Sequence, residues 1–242
     1  MRAGRVAVLA LVLVAATACG GDRQSTPATT AVAPHRDCSP GVHEFALRNG
    51  QQVDMRVTPP GERPYALIVA LHGAGGSPDS GLEAFSGAWN LPGLVLVAPA
   101  AKARTWTALF SDRDPDLESV DLVVAEAWAR CPIDRKRLAL GGFSDGATYA
   151  LTLGIANGDL FPAIIALSPG GILAGTTRGK PRIFVSHGSE DGVLPIAGAS
   201  DRIVPKLREA GYDVTYRRFR GGHEVSPATS AAAARWFLAG LD

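Results

Sequence analysis

The sequence predicts an α/β fold: a mainly parallel central sheet with helices on both faces, led by an antiparallel hairpin. Three observations carry that expectation. Five short runs, 66–71, 94–98, 138–140, 163–167 and 183–185, are almost wholly apolar, as strands covered on both faces must be. Stretches with apolar residues at helical spacing alternate with them. Ahead of them, two half-polar segments flank Asn49-Gly50, a dipeptide suited to the positive φ angles of a tight hairpin turn.

The elements follow in order from the N-terminus. Arg2 and Arg5 precede the apolar run Val6 to Ala16, which is too short to cross a bilayer as a mature helix, and Ala16-Thr17-Ala18 places small residues before Cys19. Residues 1–18 therefore read as a signal peptide. Because a cysteine follows directly, the segment resembles a bacterial lipoprotein signal, with Cys19 lipidated as the new N-terminus, although Ala16 stands where that class usually carries leucine. The expected location is the outer face of the bacterial cytoplasmic membrane, held by the lipid anchor alone, with free secretion as the alternative. Residues 19–40, rich in Thr, Ala, Ser, Pro and Gly without an apolar period, read as a flexible tether, and residues 41–242 as one domain.

Charge excludes one class of partner. Removing Arg2 and Arg5 from the 24 basic groups leaves 22 against 23 acidic ones, so nothing in the balance attracts nucleic acid. A monomer is expected. Cys38 and Cys131 form an even pair in an exported chain, which makes a disulfide between them the expectation and two separate buried thiols the alternative.

Strands are expected at 43–48, 51–57, over the five apolar runs and at 214–219. Leu117, Val120, Val124 and Trp128 give 117–130 a helical stripe. Helices are also expected at 200–210, despite Pro205, at 230–238, and from Ala147 to Leu153. A parallel sheet presents its functional residues beyond the carboxyl ends of its strands. Four such ends carry chemistry here. Gly142-Phe143-Ser144-Asp145-Gly146 is a G-x-S-x-G turn between strand and helix, the place of a serine nucleophile, with both glycines leaving room for close backbone. On its own, in a chain of 28 glycines, it reads equally as a plain glycine loop.

A serine needs a base, and that base needs a carboxylate to fix its tautomer. Asp191 and His223 follow two later strands in the order Ser, Asp, His. Glu190 competes with Asp191 for the acid and His187 with His223 for the base; His187 reads better as a structural histidine, and His72 as a brace of the glycine loop it opens. His35 and His43 read as solvated. The backbone N–H groups of Ala74, in Gly73-Ala74-Gly75-Gly76, and of Asp145 are assigned as the oxyanion donors. No Lys or Ser/Thr follows that loop at P-loop spacing, which argues against a phosphate cradle.

With these motifs the chain, from about residue 42 onward, resembles α/β-hydrolases of the phospholipase/carboxylesterase type, related to secreted esterases and polyhydroxybutyrate depolymerases. The matching segments are Leu71-His72-Gly73-Ala74-Gly75-Gly76, the Ser144 pentapeptide, His187-Gly188-Ser189-Glu190-Asp191-Gly192-Val193-Leu194-Pro195, and Gly221-Gly222-His223. The resemblance implies Asp191 as the acid, no cofactor, and a serine esterase that acts on small or polymeric carboxylic esters through an acyl-enzyme; no metal is expected. A polyhydroxyalkanoate or feruloyl-ester depolymerase is the enzymatic alternative, and a binding lipoprotein that keeps the fold the non-enzymatic one. Only fourteen residues, 168–181, separate two strands where many lipases insert a lid, so no large cap is expected. Trp106 and Phe110, in 102–116, are the candidate pocket wall.

Overall fold

A computed structural model describes residues 37–240 except 62, 112 and 174. The signal peptide, Cys19, His35 and the tether up to residue 36 lie outside the described residues. Eight strands, β1 (Gly41–Ala46), β2 (Gln52–Val57), β3 (Tyr65–Leu71), β4 (Leu94–Pro99), β5 (Ile133–Phe143), β6 (Ala163–Leu167), β7 (Arg182–Gly188) and β8 (Val214–Phe219), form one sheet in the order β1-β2-β4-β3-β5-β6-β7-β8. β1 and β2 pair antiparallel across the Asn49-Gly50 turn, where Gly50 takes φ 82°. β2 then joins β4 antiparallel, and every later pairing is parallel.

The alternation of side chains along a strand divides the core in two. Leu67, Val69 and Leu71 of β3 face one layer with α2 (Asp116–Arg130), α3 (Asp145–Ala156) and α4 (Ser200–Glu209), through Val120, Val124, Leu151, Ile203 and Leu207. Ala66, Ile68 and Ala70 face the other layer, packed by α1 (Pro78–Glu83) and α5 (Pro227–Ala239) through Leu82, Ala234 and Phe237. Each fully buried Leu, Ile or Phe contributes roughly 1.5–3 kcal/mol of apolar burial. Doubly covered strands thus supply the main cohesion.

Departures from expectation have local causes. β5 starts at Ile133, before its apolar half, because Asp134, Arg135 and Lys136 lie on a half-exposed stretch that reaches Tyr65 before the pairing shifts register. The α1 helix was not foreseen, being too short for a period; Pro78 opens it after Ser77. α4 continues through Pro205, whose exposed position leaves the Ile203, Val204 and Leu207 stripe intact. His43 is not solvated: its side chain is 13% exposed, lies 3.2 Å from Asp37 and hydrogen-bonds the Ser39 carbonyl at 2.8 Å. No helix or strand occupies 168–181 among the described residues.

Cys38, just before β1, is joined to Cys131, just after α2, by a disulfide with Cα atoms 5.1 Å apart. Its 93-residue separation makes it a clamp on the domain's N-terminal edge. Closing so long a loop restricts the unfolded chain strongly. The Cys38→Ala/Cys131→Ala double variant is expected to lose about 2–4 kcal/mol of unfolding free energy, read from urea titration; an unshifted midpoint would show that the clamp carries no stability.

Candidate active site

β5 passes into α3 with Ser144 as the single residue between them, at φ 57° and ψ −118°. A non-glycine residue in such a conformation costs about 1–3 kcal/mol unless its surroundings hold it. They do. The Ser144 N–H donates to the Leu167 carbonyl of β6 at 2.9 Å, and the turn is packed too tightly to relax. A Cβ on Gly146 would stand 2.2 Å from the Leu71 carbonyl oxygen, and one on Gly142 would stand 2.4 Å from the Gly146 oxygen. The strain lifts Ser144 Oγ to the carboxyl edge of the sheet.

Two more loops meet it there. His223, beyond β8, has Nε2 2.9 Å from Ser144 Oγ and Nδ1 2.7 Å from Asp191 Oδ2, with Asp191 in the loop after β7. The carboxylate can only accept, so Nδ1 carries the proton and Nε2 receives the serine hydroxyl. The other carboxylate oxygen of Asp191 accepts the N–H groups of Val193 and Leu194 at 2.9 and 2.8 Å. Burial alone would raise this carboxyl, but the His223 hydrogen bond and those two N–H donors outweigh it and hold Asp191 below its ordinary range.

The two loops are joined by main chain. Ser189 N–H donates to Phe219 and Glu190 N–H to Gly221, at 2.8 and 2.9 Å, while Gly188 lies so close that a Cβ would be 2.3 Å from the Gly222 oxygen. Glu190, the rival acid, is exposed and pairs with Arg220 at 2.9 Å, away from His223. His187 is fully buried; its Nε2 donates to the Leu194 carbonyl at 2.8 Å and lies 3.2 Å from Asp191, and its Nδ1 accepts from Ser200. Both of its ring nitrogens are thus engaged in bracing the loop that carries Asp191.

The glycine loop after β3 lies against Ser144, since a Cβ on Gly73 would reach 3.4 Å from that of Ser144. His72 braces it as expected: Nδ1–H donates to Gly73 at 2.7 Å and Nε2 accepts the Ala101 N–H at 3.1 Å. An acceptor Nε2 requires neutral imidazole, and burial lowers the His72 pKa in agreement, against the opposing pull of the Gly73 carbonyl and Asp116. Among the described residues no backbone acceptor takes the N–H of Ala74 or of Asp145, the first residue of α3.

The proposed pocket wall is corrected. Trp106 is fully buried, stacked on Tyr149 with centroids 5.2 Å apart and donating its indole N–H to the His72 carbonyl at 2.8 Å. Phe110 is 63% exposed. A cleft of about 550 Å³ is walled by Phe143, Val225 and Trp89 together with Glu44, Asp54, Asp79 and Glu83. Phe143 links it to His223, their ring centroids 4.8 Å apart. Arg56, the one basic residue of the lining, has its guanidinium 4.0 Å over Trp89. Burial first, then the charges of Glu44 and Asp79, raise the Asp54 pKa. These residues come from β1, β2 and α1, and alternating polar residues on an outer strand gave no sign of a cleft in sequence.

Comparison with known proteins agrees with this architecture. A probable feruloyl esterase C of Aspergillus niger is 25% identical over 173 residues, covering 65% of this chain and 60% of that protein. Its counterpart in Aspergillus clavatus is 27% identical over 147 residues, 55% of this chain and 51% of the other. The chain thus spans about half to three-fifths of the length of these relatives. Esterase PE8 superposes with a TM-score of 0.61 at 26% identity, covering 84% of this chain and 99% of that one. A ferulic acid esterase of the anaerobic fungus Anaeromyces mucronatus shares the fold, with a TM-score of 0.61 at 16% identity over 81% of this chain and 88% of that one. Residues 116–240, just over half the chain and including the Ser144 turn and both partner loops, match the phospholipase/carboxylesterase family. The chain belongs to that family and has its α/β-hydrolase fold.

Proposed function

We propose that this protein is a serine hydrolase of carboxylic esters. The observation that carries the reading is the relay from Ser144 Oγ to His223 Nε2 at 2.9 Å and from His223 Nδ1 to Asp191 Oδ2 at 2.7 Å. His223 takes the hydroxyl proton as Ser144 attacks the ester carbonyl, and Asp191 stabilises the imidazolium that forms. The N–H groups of Ala74 and Asp145 meet the tetrahedral oxyanion. His223 then returns the proton to the departing alcohol, leaving an acyl-enzyme that water hydrolyses by the same steps. This chemistry calls for no cofactor.

The cleft bears on the substrate. Four carboxylates against one guanidinium repel an anionic group such as the phosphate of a lysophospholipid, while Phe143, Trp89 and Val225 suit an apolar or aromatic portion. An uncharged ester is therefore favoured, and the feruloyl esterases among the relatives support an aromatic acyl ester, free or on a polymer, as a second reading. Export and anchoring through Cys19 complete the proposal, supported by the Cys38–Cys131 disulfide, which suits an oxidising compartment.

Three outcomes are expected. Ser144→Ala should lower kcat for p-nitrophenyl acetate by roughly 10⁴-fold or more and abolish labelling by a fluorophosphonate; near-normal turnover by that variant would defeat the assignment, and an intact protein that fails to label would favour a binder. In a substrate panel, methyl ferulate and p-nitrophenyl esters should exceed lysophosphatidylcholine in kcat/KM by about tenfold or more, whereas the reverse ranking would return the reading to a lysophospholipase. Asp191→Asn should lower kcat by about 10⁴-fold. It should also destabilise the protein at pH 7: with a folded pKa below 3.8, ionised Asp191 contributes its stability fully above that value and loses it as pH falls through the folded one. The gap in Tm between wild type and variant should narrow towards pH 3; a constant gap would contradict the depressed pKa.

A further inference from the structure

We propose that Arg104 and Thr105 form a strap that sets the geometry of the oxyanion hole, with Thr105 as a positioning residue. The inference rests on the esterase reading above. The two donors of the hole belong to different elements, Ala74 to the loop after β3 and Asp145 to the start of α3. They stabilise an oxyanion only if both N–H groups converge on one point, and such convergence is sensitive to shifts well below an ångström. Packing of Gly146 on Leu71 and His72 brings the two elements together, and a tie from a third segment fixes them more finely.

Adjacent residues of one loop do so. The Arg104 carbonyl accepts the N–H of Gly75, next to Ala74, at 2.6 Å. The Thr105 hydroxyl donates to Asp145 Oδ2 at 2.8 Å, on the residue that supplies the other donor. One peptide unit thus ties both halves. The strap is itself anchored on either side: fully buried Asp116 accepts the N–H of Lys102 through one oxygen and that of Thr107 through the other, both at 2.7 Å. Between them, buried Trp106 is hydrogen-bonded to the carbonyl of His72, where the glycine loop begins.

Thr105 has an electrostatic task as well. A carboxylate on the residue whose N–H meets the oxyanion would oppose the charge developing there if it turned inward. Donation from Thr105 ties it to the 102–107 segment and disperses its charge. Loss of the hydroxyl should therefore weaken the transition state more than the bound ester.

The test is Thr105→Val, close in shape and lacking the donor, with Thr105→Ser as its rescue. The valine variant should lose about 10- to 100-fold in kcat on a p-nitrophenyl ester with KM within about twofold, and its affinity for a boronic acid mimicking the tetrahedral intermediate should fall by a similar factor. Serine should restore most of both. Wild-type kcat and boronate affinity in the valine variant would overturn the inference, as would a loss that serine does not restore. If Thr105→Val behaves as wild type while Ser144→Ala is inactive, only the strap fails; if Ser144→Ala stays active, the esterase reading itself fails.

Discussion

Contact between the first turn of α3 and the carboxyl end of β3 is the constraint on which the site depends. Gly146 rests against the carbonyls of Leu71 and His72 with no room for a single methyl group, and Gly142 against Gly146 in the same way. That contact lets a buried strand pass into a buried helix through one strained serine. It also brings the glycine loop alongside the start of α3, so that loop and Ser144 become neighbours through packing rather than chain proximity. The cost of the Ser144 conformation is offset by the core beneath it, since α3 is buried almost throughout.

A second constraint orients the base. The loops after β7 and β8 are held together by two main-chain hydrogen bonds and by the bare backbone of Gly188, so the separation of Asp191 and His223 does not rest on their own side chains. Asp191 receives donors on both oxygens and stays ionised, with His187 and Ser200 buttressing its loop from below. Charge is then arranged by distance. The carboxylates of the cleft belong to β1, β2 and α1, elements separate from the loops that carry Asp191 and His223.

The fold, and the meeting of Ser144, His223 and Asp191 at one edge of the sheet, were largely legible in the residues, for a physical reason. Doubly covered strands must be apolar along their length, and the chemistry of a serine nucleophile demands residue types that glycine turns and strand ends locate. β5 before Leu138 and α1 were not legible, one being polar and partly exposed, the other shorter than two helical turns. Trp106 was misplaced because an aromatic residue in a polar loop carries no mark of whether it faces solvent, substrate or core. Its full burial depends on Tyr149 and His72, which are distant along the chain.

By itself the sequence determined the class of sheet, the edge at which chemistry would lie, and the candidate nucleophile, base and acid, because hydrophobic period and reactive residue type are local properties. Tertiary structure alone decided that Glu190 turns to Arg220 while Asp191 meets His223, that Trp106 is buried and braces the glycine loop, and that an acidic cleft opens beside Phe143. Those are matters of direction and distance between segments far apart in the chain. Neither composition nor spacing encodes them until packing has fixed where each backbone runs.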